Sequence, residues 1–327
     1  MTGQHPRLCS VLINEGGISQ AVIMTESAEP VQAPRATSVH RGKDLQFTAH
    51  ASEPGTDVRV APFLGPEHGA TQLSIALVEL EPGGQIAGHR HPFEESFFVL
   101  AGSPLVTIAD RHYDLCPHDF GLVPFGAGHA WRNPSSQPAR LLRVHAPQPR
   151  PIGGRGSWGV FGAPEVAVPT DGQRIDELDP SKPYTGHFVQ SDMAPPGSIS
   201  MPGYHGANVQ NVQIRMMVDE LLGARHHTMF IVQFKPNPTV VAKTAKEHFH
   251  PFEEIYYLLS GEAETFCDGQ SDRAGVGDLI FAPVGASHGF APVGGDPLCW
   301  VEVQSPLPPA SGGFIFHSDW SGQPNIG

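Results

Sequence analysis

The amino-acid sequence predicts an all-β protein built as two similar barrels or sandwiches in tandem. Two observations carry this. The chain repeats itself once, and the repeated stretches read as short strands punctuated by glycine and proline. HPFEE occurs at His91–Glu95 and again at His250–Glu254, 159 residues later. In that register 13 of the 45 positions from 89 to 133 are identical, too many for chance between unrelated segments.

The repeat sets the domain organisation, and repeats are the first feature to seek in a chain. Upstream of His89 the offset falls to 154, placing Val78–Pro82 over Val232–Pro236 and Gly69-Ala70 over Gly223-Ala224. The expected divisions are a weakly ordered arm over 1–40, placed to add a strand to a sheet edge, and an N-terminal unit over 41–150. A linker over 151–205 and a C-terminal unit with its tail over 206–327 follow.

Strand character comes from period-two alternation. Val212, Ile214, Met216 and Val218 alternate with Gln213, Arg215, Met217 and Asp219, and Leu73, Ile75 and Leu77 do so less cleanly. Glycine (37) and proline (33) make about a fifth of the 327 residues, supplying the turns of a sandwich or barrel. One short helix is expected near Arg174–Leu178.

Composition excludes several classes. The net charge of −13 without a basic run argues against nucleic acid, whose phosphates need clustered Lys and Arg. No apolar run approaches the ~18 residues of a membrane span, and the first residues lack the apolar core of a secretory signal. Cys9, Cys116, Cys267 and Cys299 form no CxxC and read as free thiols of a reducing compartment. A cytoplasmic location is expected. The feature left to explain is the 18 histidines.

Six of these histidines fall into two equivalent sets. On a strand, side chains of one parity share a face, so His89, His91 and Glu95 point together, as do His248, His250 and Glu254. His129 and His288 arrive from a later strand after a Pro–Gly turn. Three imidazoles and a carboxylate suit a divalent first-row metal. Fe(II) or Mn(II) is expected, with Ni or Zn as alternatives, up to one ion per unit. Four ligands on an octahedral ion leave two positions open for chemistry.

Tyr256 shares the ligand parity and could exchange a proton near the metal. Phe97, Trp131 and Phe290 share it too and are candidate substrate-pocket walls, although the same positions suit plain barrel core. Glu94 and Glu253 have the opposite parity and should point outward to solvent or a salt bridge. His118 and His145 are motif neighbours, and the other ten histidines, the His226-His227 pair among them, have no assigned role.

Gly83-x5-His89-x-His91-x3-Glu95-x6-Gly102 resembles the first motif of the cupin superfamily, and Pro124-x-Gly126-x2-His129-x3-Asn133 its second. The second unit repeats the pattern from His248 to His288. The departures are His118 and Ala242 at glycine positions and Pro292 at the terminal asparagine. The resemblance implies a bicupin, two double-stranded β-helix barrels of the jelly-roll type. Many cupins with this ligand set are dioxygenases, so oxidation or cleavage of a small oxygenated substrate with O2 is the expected function.

The layout is also similar to the (S)-ureidoglycine aminohydrolases, which are manganese enzymes. Their glutamate, histidine, histidine and glutamine ligands retain only His250 here, so a Mn-dependent hydrolase or lyase is the alternative. Oxalate decarboxylase-like bicupins carry two such ligand sets, and gentisate dioxygenase-like bicupins usually lack the glutamate. A non-enzymatic cupin binding protein is the third possibility. The expected partners are a small molecule and further copies of the chain.

Overall fold

The computed structural model describes residues 38–49, 55–149, 160–175, 184–195, 212–234, 245–267, 270–308 and 315–316. Among these there is no α-helix, and no helix is long and apolar enough to cross a membrane. The helix expected near Arg174–Leu178 is replaced at its start by a short strand, Gln173–Arg174, parallel to Arg111–Asp114. Residues 176–178 lie outside the described residues, as do 1–37, Cys9 and Ala242.

Each repeat forms a curled β-structure. In the N-terminal one, the long strand Ser74–Arg90 pairs with Ala139–Ala146 through its first half and with His129–Arg132 through its second. One continuous strand thus serves both faces of the barrel. Glu94–Ala101 lies between Ala139–Ala146 and Asp119–Val123. The C-terminal repeat splits the same arrangement into two sheets. One runs Leu279–Ala282, Glu253–Ser260, Leu298–Ser305, Thr228–Phe234 and Val212–Val218; the other holds Ala245–Phe249, His288–Val293 and Glu262–Cys267.

Alternation sorts the strands' side chains. On Ala139–Ala146, Leu141 faces the barrel interior with Phe97 and Trp131, while Leu142 and Val144 face away. On Leu298–Ser305, Trp300 faces inward with Tyr256 and Phe290, while Val301 and Val303 face away. The outward faces form one shared core across the two barrels, in which the Phe63 and Tyr257 rings meet edge to face at 6.0 Å.

Short strands extend the exchange. Ser38–His40, from before the first barrel, joins the C-terminal sheet beside Leu279–Ala282. Thr185–His187, from between the barrels, joins the N-terminal sheet beside Asp119–Val123. The two play equivalent parts. Arg41 follows the first and pairs with Asp278, and His187 ends the second and pairs with Asp119, the repeat equivalent of Asp278.

Two glycines close the first motif for a steric reason. Gly102 and Gly261 have φ of +79° and +77°, and a Cβ would lie 2.6 Å from Ala139 Cα or 2.8 Å from the Pro297 carbonyl. His118, at a position where the family pattern has glycine, also adopts positive φ (+76°), matching Gly277 at +84°. Its ring stacks near Phe98 and meets Phe188 edge-on. The backbone shape is thus kept with a residue type that tolerates left-handed geometry better than most.

Candidate metal centre

The repeated HPFEE assigns one task to each residue after the proline. The Phe93 ring stacks on His91 at 3.9 Å and 5°, and Phe252 stacks on His250 at 3.9 Å and 3°. Each stack fixes an imidazole plane. The carbonyl of the same phenylalanine accepts a hydrogen bond from that histidine's Nδ1, at 2.7 Å in both barrels. His89, His129 and His288 are pinned likewise by the carbonyls of Ala87, Ala127 and Ala286. A histidine donating from Nδ1 presents the bare lone pair of Nε2, the form in which imidazole binds a metal.

In the C-terminal barrel His248, His250, Glu254 and His288 are all buried, with their ligand atoms within 4.8 Å of one another. Glu254 Oε2 lies 2.7 Å from His250 Nε2 and 3.3 Å from His288 Nε2. These imidazoles already donate from Nδ1, so carboxylate and imidazole lone pairs face each other at contact distance. A shared divalent cation resolves that opposition, and the donor set fits one. Burial alone would raise the Glu254 carboxyl, but the close approach of His250 outweighs it and holds it well below the usual carboxylate range.

The N-terminal barrel brings the same four positions together differently. His89, His91 and His129 form one group within 4.8 Å, and His91, Glu95 and His145 form a second that shares His91. Glu95 Oε2 accepts a hydrogen bond from His145 Nε2 at 2.8 Å and lies 3.7 Å from His91 Nε2. Among the described residues, His91 Nε2, His129 Nε2 and Glu95 Oε1 are buried with no hydrogen-bond partner. Unpaired buried acceptors are costly, and a bound cation would satisfy all three. Burial lowers His129 to about 3 and His145 to about 4, so both are neutral donors at pH 7. Burial would raise Glu95, but the hydrogen bond with His145 and the Arg143 charge outweigh it and hold it well below the usual range.

Around these ligands the barrels differ. Tyr256 in the C-terminal barrel donates its hydroxyl to Glu254 Oε2 and lies 3.0 Å from His288 Nε2. It lines a small apolar cavity with Leu258, Ala263, Ile280, Phe290, Leu298 and Trp300. Phe97 takes the Tyr256 position in the N-terminal barrel, packed edge-on against Trp131 at 4.9 Å in the interior core. Phe290 stands edge-on to Tyr256 at 4.5 Å.

Sequence reasoning gave the last strand of each barrel no part in the site and counted His145 only as a motif neighbour. There Gln304 donates to both Glu254 and Glu302, and Trp300 donates to Glu302 at 2.9 Å. Burial, reinforced by Glu254, pushes the Glu302 carboxyl well above its usual range. The equivalents of Glu302 and Gln304 are Arg143 and His145. Along the last strand these pairs alternate with Leu142 and Val144 or with Val301 and Val303, and they keep the 159-residue offset, the signal that could have found them. The outward orientation expected of Glu94 and Glu253 does not bring them to solvent: both are 1% exposed and buried between the barrels. His227, fully buried, bridges Glu94 and Ser96.

A family model for the cupin domain matches residues 76–145 and 239–304. The fold is similar to that of the oxalate decarboxylase of Lactobacillus farciminis, at 18% identity and a TM-score of 0.58 over 88% of this chain and 90% of that one. Protein Ylba of E. coli gives 14% identity and a TM-score of 0.54 over 82% and 90%. The dimethylsulfoniopropionate lyase DddQ of Ruegeria pomeroyi is 50% identical over 42 residues, 12% of this chain and only about a fifth (21%) of the lyase. The chain thus carries two cupin domains, one on each of its two jelly-roll barrels.

Proposed function

We propose that this bicupin is a metal-dependent lyase whose chemistry takes place in the C-terminal barrel, on a small carboxylate. The observation that carries this is Tyr256, whose hydroxyl is bonded to the ligand Glu254 and lies 3.0 Å from the ligand His288. A divalent ion, Mn(II) or Fe(II) before Ni or Zn, held by His248, His250, Glu254 and His288 would supply Lewis-acid polarisation of a bound carboxylate.

Tyr256 then supplies proton transfer. In a decarboxylation the C–C bond breaks, CO2 departs, and the carbanion left behind takes the Tyr256 proton. In a β-elimination a tyrosinate at this position accepts the proton α to the carboxylate, and the leaving group departs with its bonding pair. The Glu254 carboxylate orients the phenol, and the apolar wall of Phe290, Leu258 and Trp300 excludes water from the proton's path. The 42-residue likeness to a lyase supports this class.

The test is turnover of Mn(II)-loaded protein on a panel of small carboxylates including dimethylsulfoniopropionate, run with and without oxygen. Oxygen-independent release of CO2, or of dimethyl sulfide with acrylate, supports the lyase. It should fall by about two orders of magnitude or more in Tyr256→Phe with metal retained. Turnover unchanged in Tyr256→Phe overturns the assignment. The apolar cavity beside Tyr256 favours a second reading, a dioxygenase in which O2 occupies that space. Turnover that stops without oxygen would select it. Oxygen-independent ammonia release would point to the aminohydrolase-like alternative, and metal-free purified protein to a binding protein.

A further inference from the structure

The N-terminal barrel holds one more nitrogen at its metal site than the C-terminal barrel does. His91 belongs to two triads there, one with His89 and His129 and one with Glu95 and His145, each with ligand atoms within 4.8 Å. An ion that engages both His91 and Glu95 therefore has His145 Nε2, 2.8 Å from Glu95 Oε2, on the same side, and the ring offers it a lone pair once its proton sits on Nδ1. The His145 ring sits 5.7 Å from His91 and 4.8 Å from Phe93, the ring stacked on His91. Phe93 thus fixes the space in which both imidazoles lie.

The C-terminal barrel provides the contrast. Gln304 occupies the equivalent of His145 and donates through its amide nitrogen to Glu254 and Glu302. An amide nitrogen has no lone pair to offer a cation. Glu254 accordingly turns to the histidines and makes one closed set of four with them. The ligand-turning position on the last strand is filled in both barrels, but only in the N-terminal one by a residue that can itself ligate.

We propose that His145 is a metal ligand, so that the N-terminal barrel binds its ion with four imidazoles and Glu95. A fifth protein ligand fills one of the two positions that four ligands leave on an octahedral ion. Two-point binding of substrate, or of substrate beside a second small molecule, then has no room there. The N-terminal site retains metal, and the open coordination lies in the C-terminal barrel. This rests on metal binding at the N-terminal triad, not on the lyase assignment.

The experiment uses full-length His250→Ala protein, whose C-terminal set is broken, loaded with one equivalent of Zn(II). X-ray absorption fine structure should count four imidazoles on the zinc. In His250→Ala/His145→Gln it should count three, with zinc affinity by chelator competition lower by about tenfold or more. Three imidazoles in the protein that retains His145 overturns the proposal. If either variant fails to fold, the doubly loaded wild type decides: an average above three imidazoles per zinc supports the fifth ligand, and three overturns it. An N-terminal barrel that takes up no zinc overturns the metal reading of that barrel as well, and leaves turnover at the C-terminal site to be judged separately.

Discussion

Glu94 and Glu253 each sit one residue before a candidate ligand glutamate, and each reaches out of its own barrel to cap the same turn in the other. Glu253 accepts the backbone N–H groups of Thr71, Gln72 and Leu73 and the Thr71 hydroxyl. Glu94 accepts the N–H groups of Arg225 and His226, the repeat equivalents of Thr71 and Gln72, and a bond from His227 Nδ1. Each barrel therefore holds the ligand-bearing strand of the other through a buried carboxylate. The repeat in sequence has become an approximate two-fold relation in space, with one interaction made twice.

Removing that charge should loosen both barrels. Glu253→Gln keeps the shape but weakens several charge-assisted bonds to backbone N–H groups, an expected loss of about 2–3 kcal/mol. Guanidinium unfolding of the metal-loaded protein at pH 7 measures it. Glu94→Gln should cost a similar amount, and the two losses should add, because the caps share no partner.

The N-terminal barrel also carries a staple that its counterpart lacks. Asn133, fully buried, donates to the carbonyls of Leu80 and Gln137 at 2.8 Å each and accepts from the Ser135 hydroxyl. Asn133→Ala strands these groups and should destabilise by about 2–3 kcal/mol. The C-terminal unit has Pro292 here, so Pro292→Asn should change stability by less than about 0.5 kcal/mol. Thermal unfolding of both variants checks the asymmetry.

Stability of the metal-free protein should fall as pH drops below about 6.5. Burial depresses His129 to about 3 and His145 to about 4 in the folded state. The unfolded chain takes up protons near the ordinary histidine value while the native state does not, so each group weakens folding by up to about 1.4 kcal/mol per pH unit until its own folded value is reached. Below about 4.5, where ordinary carboxylates protonate, Glu95 and Glu254 add to the loss, because both are held lower in the fold. Chemical-denaturant midpoints between pH 7 and 4.5 measure the slope, and His145→Gln should flatten it.

The candidate ligands could be grouped from the sequence because strand parity and the repeat both act on it directly. His89, His91 and Glu95 had to share a face, and HPFEE marked the register. The last strand was harder to read because its paired residues differ in chemistry: His145 and Gln304, like Arg143 and Glu302, share a position but not a residue type. Comparison by identity passes over them, while their alternation with apolar residues along the last strand would have placed each pair on one face. Glu94 and Glu253 were rightly read as pointing outward, but parity along one strand carries no information about the second barrel packed there. His118 kept a left-handed turn without the glycine that usually announces one.

Removing one ligand from each barrel separates their roles. His91 belongs to both N-terminal triads and His250 to the C-terminal quartet, so His91→Ala and His250→Ala should each empty their own barrel and leave the other loaded. Metal analysis should find the bound stoichiometry halved in each case. Turnover should divide unequally. The C-terminal barrel has the closed quartet and the Tyr256 hydroxyl bonded to Glu254, whereas Phe97 at the equivalent N-terminal position has no proton to give. His250→Ala should therefore abolish turnover, and His91→Ala should lower stability while preserving most of it. Phe97→Tyr returns a hydroxyl to the N-terminal interior and should not restore activity to His250→Ala protein, because coordination there, and not only the phenol, differs. If His91→Ala abolishes turnover and His250→Ala spares it, the N-terminal barrel is the active one and the role given to Tyr256 falls.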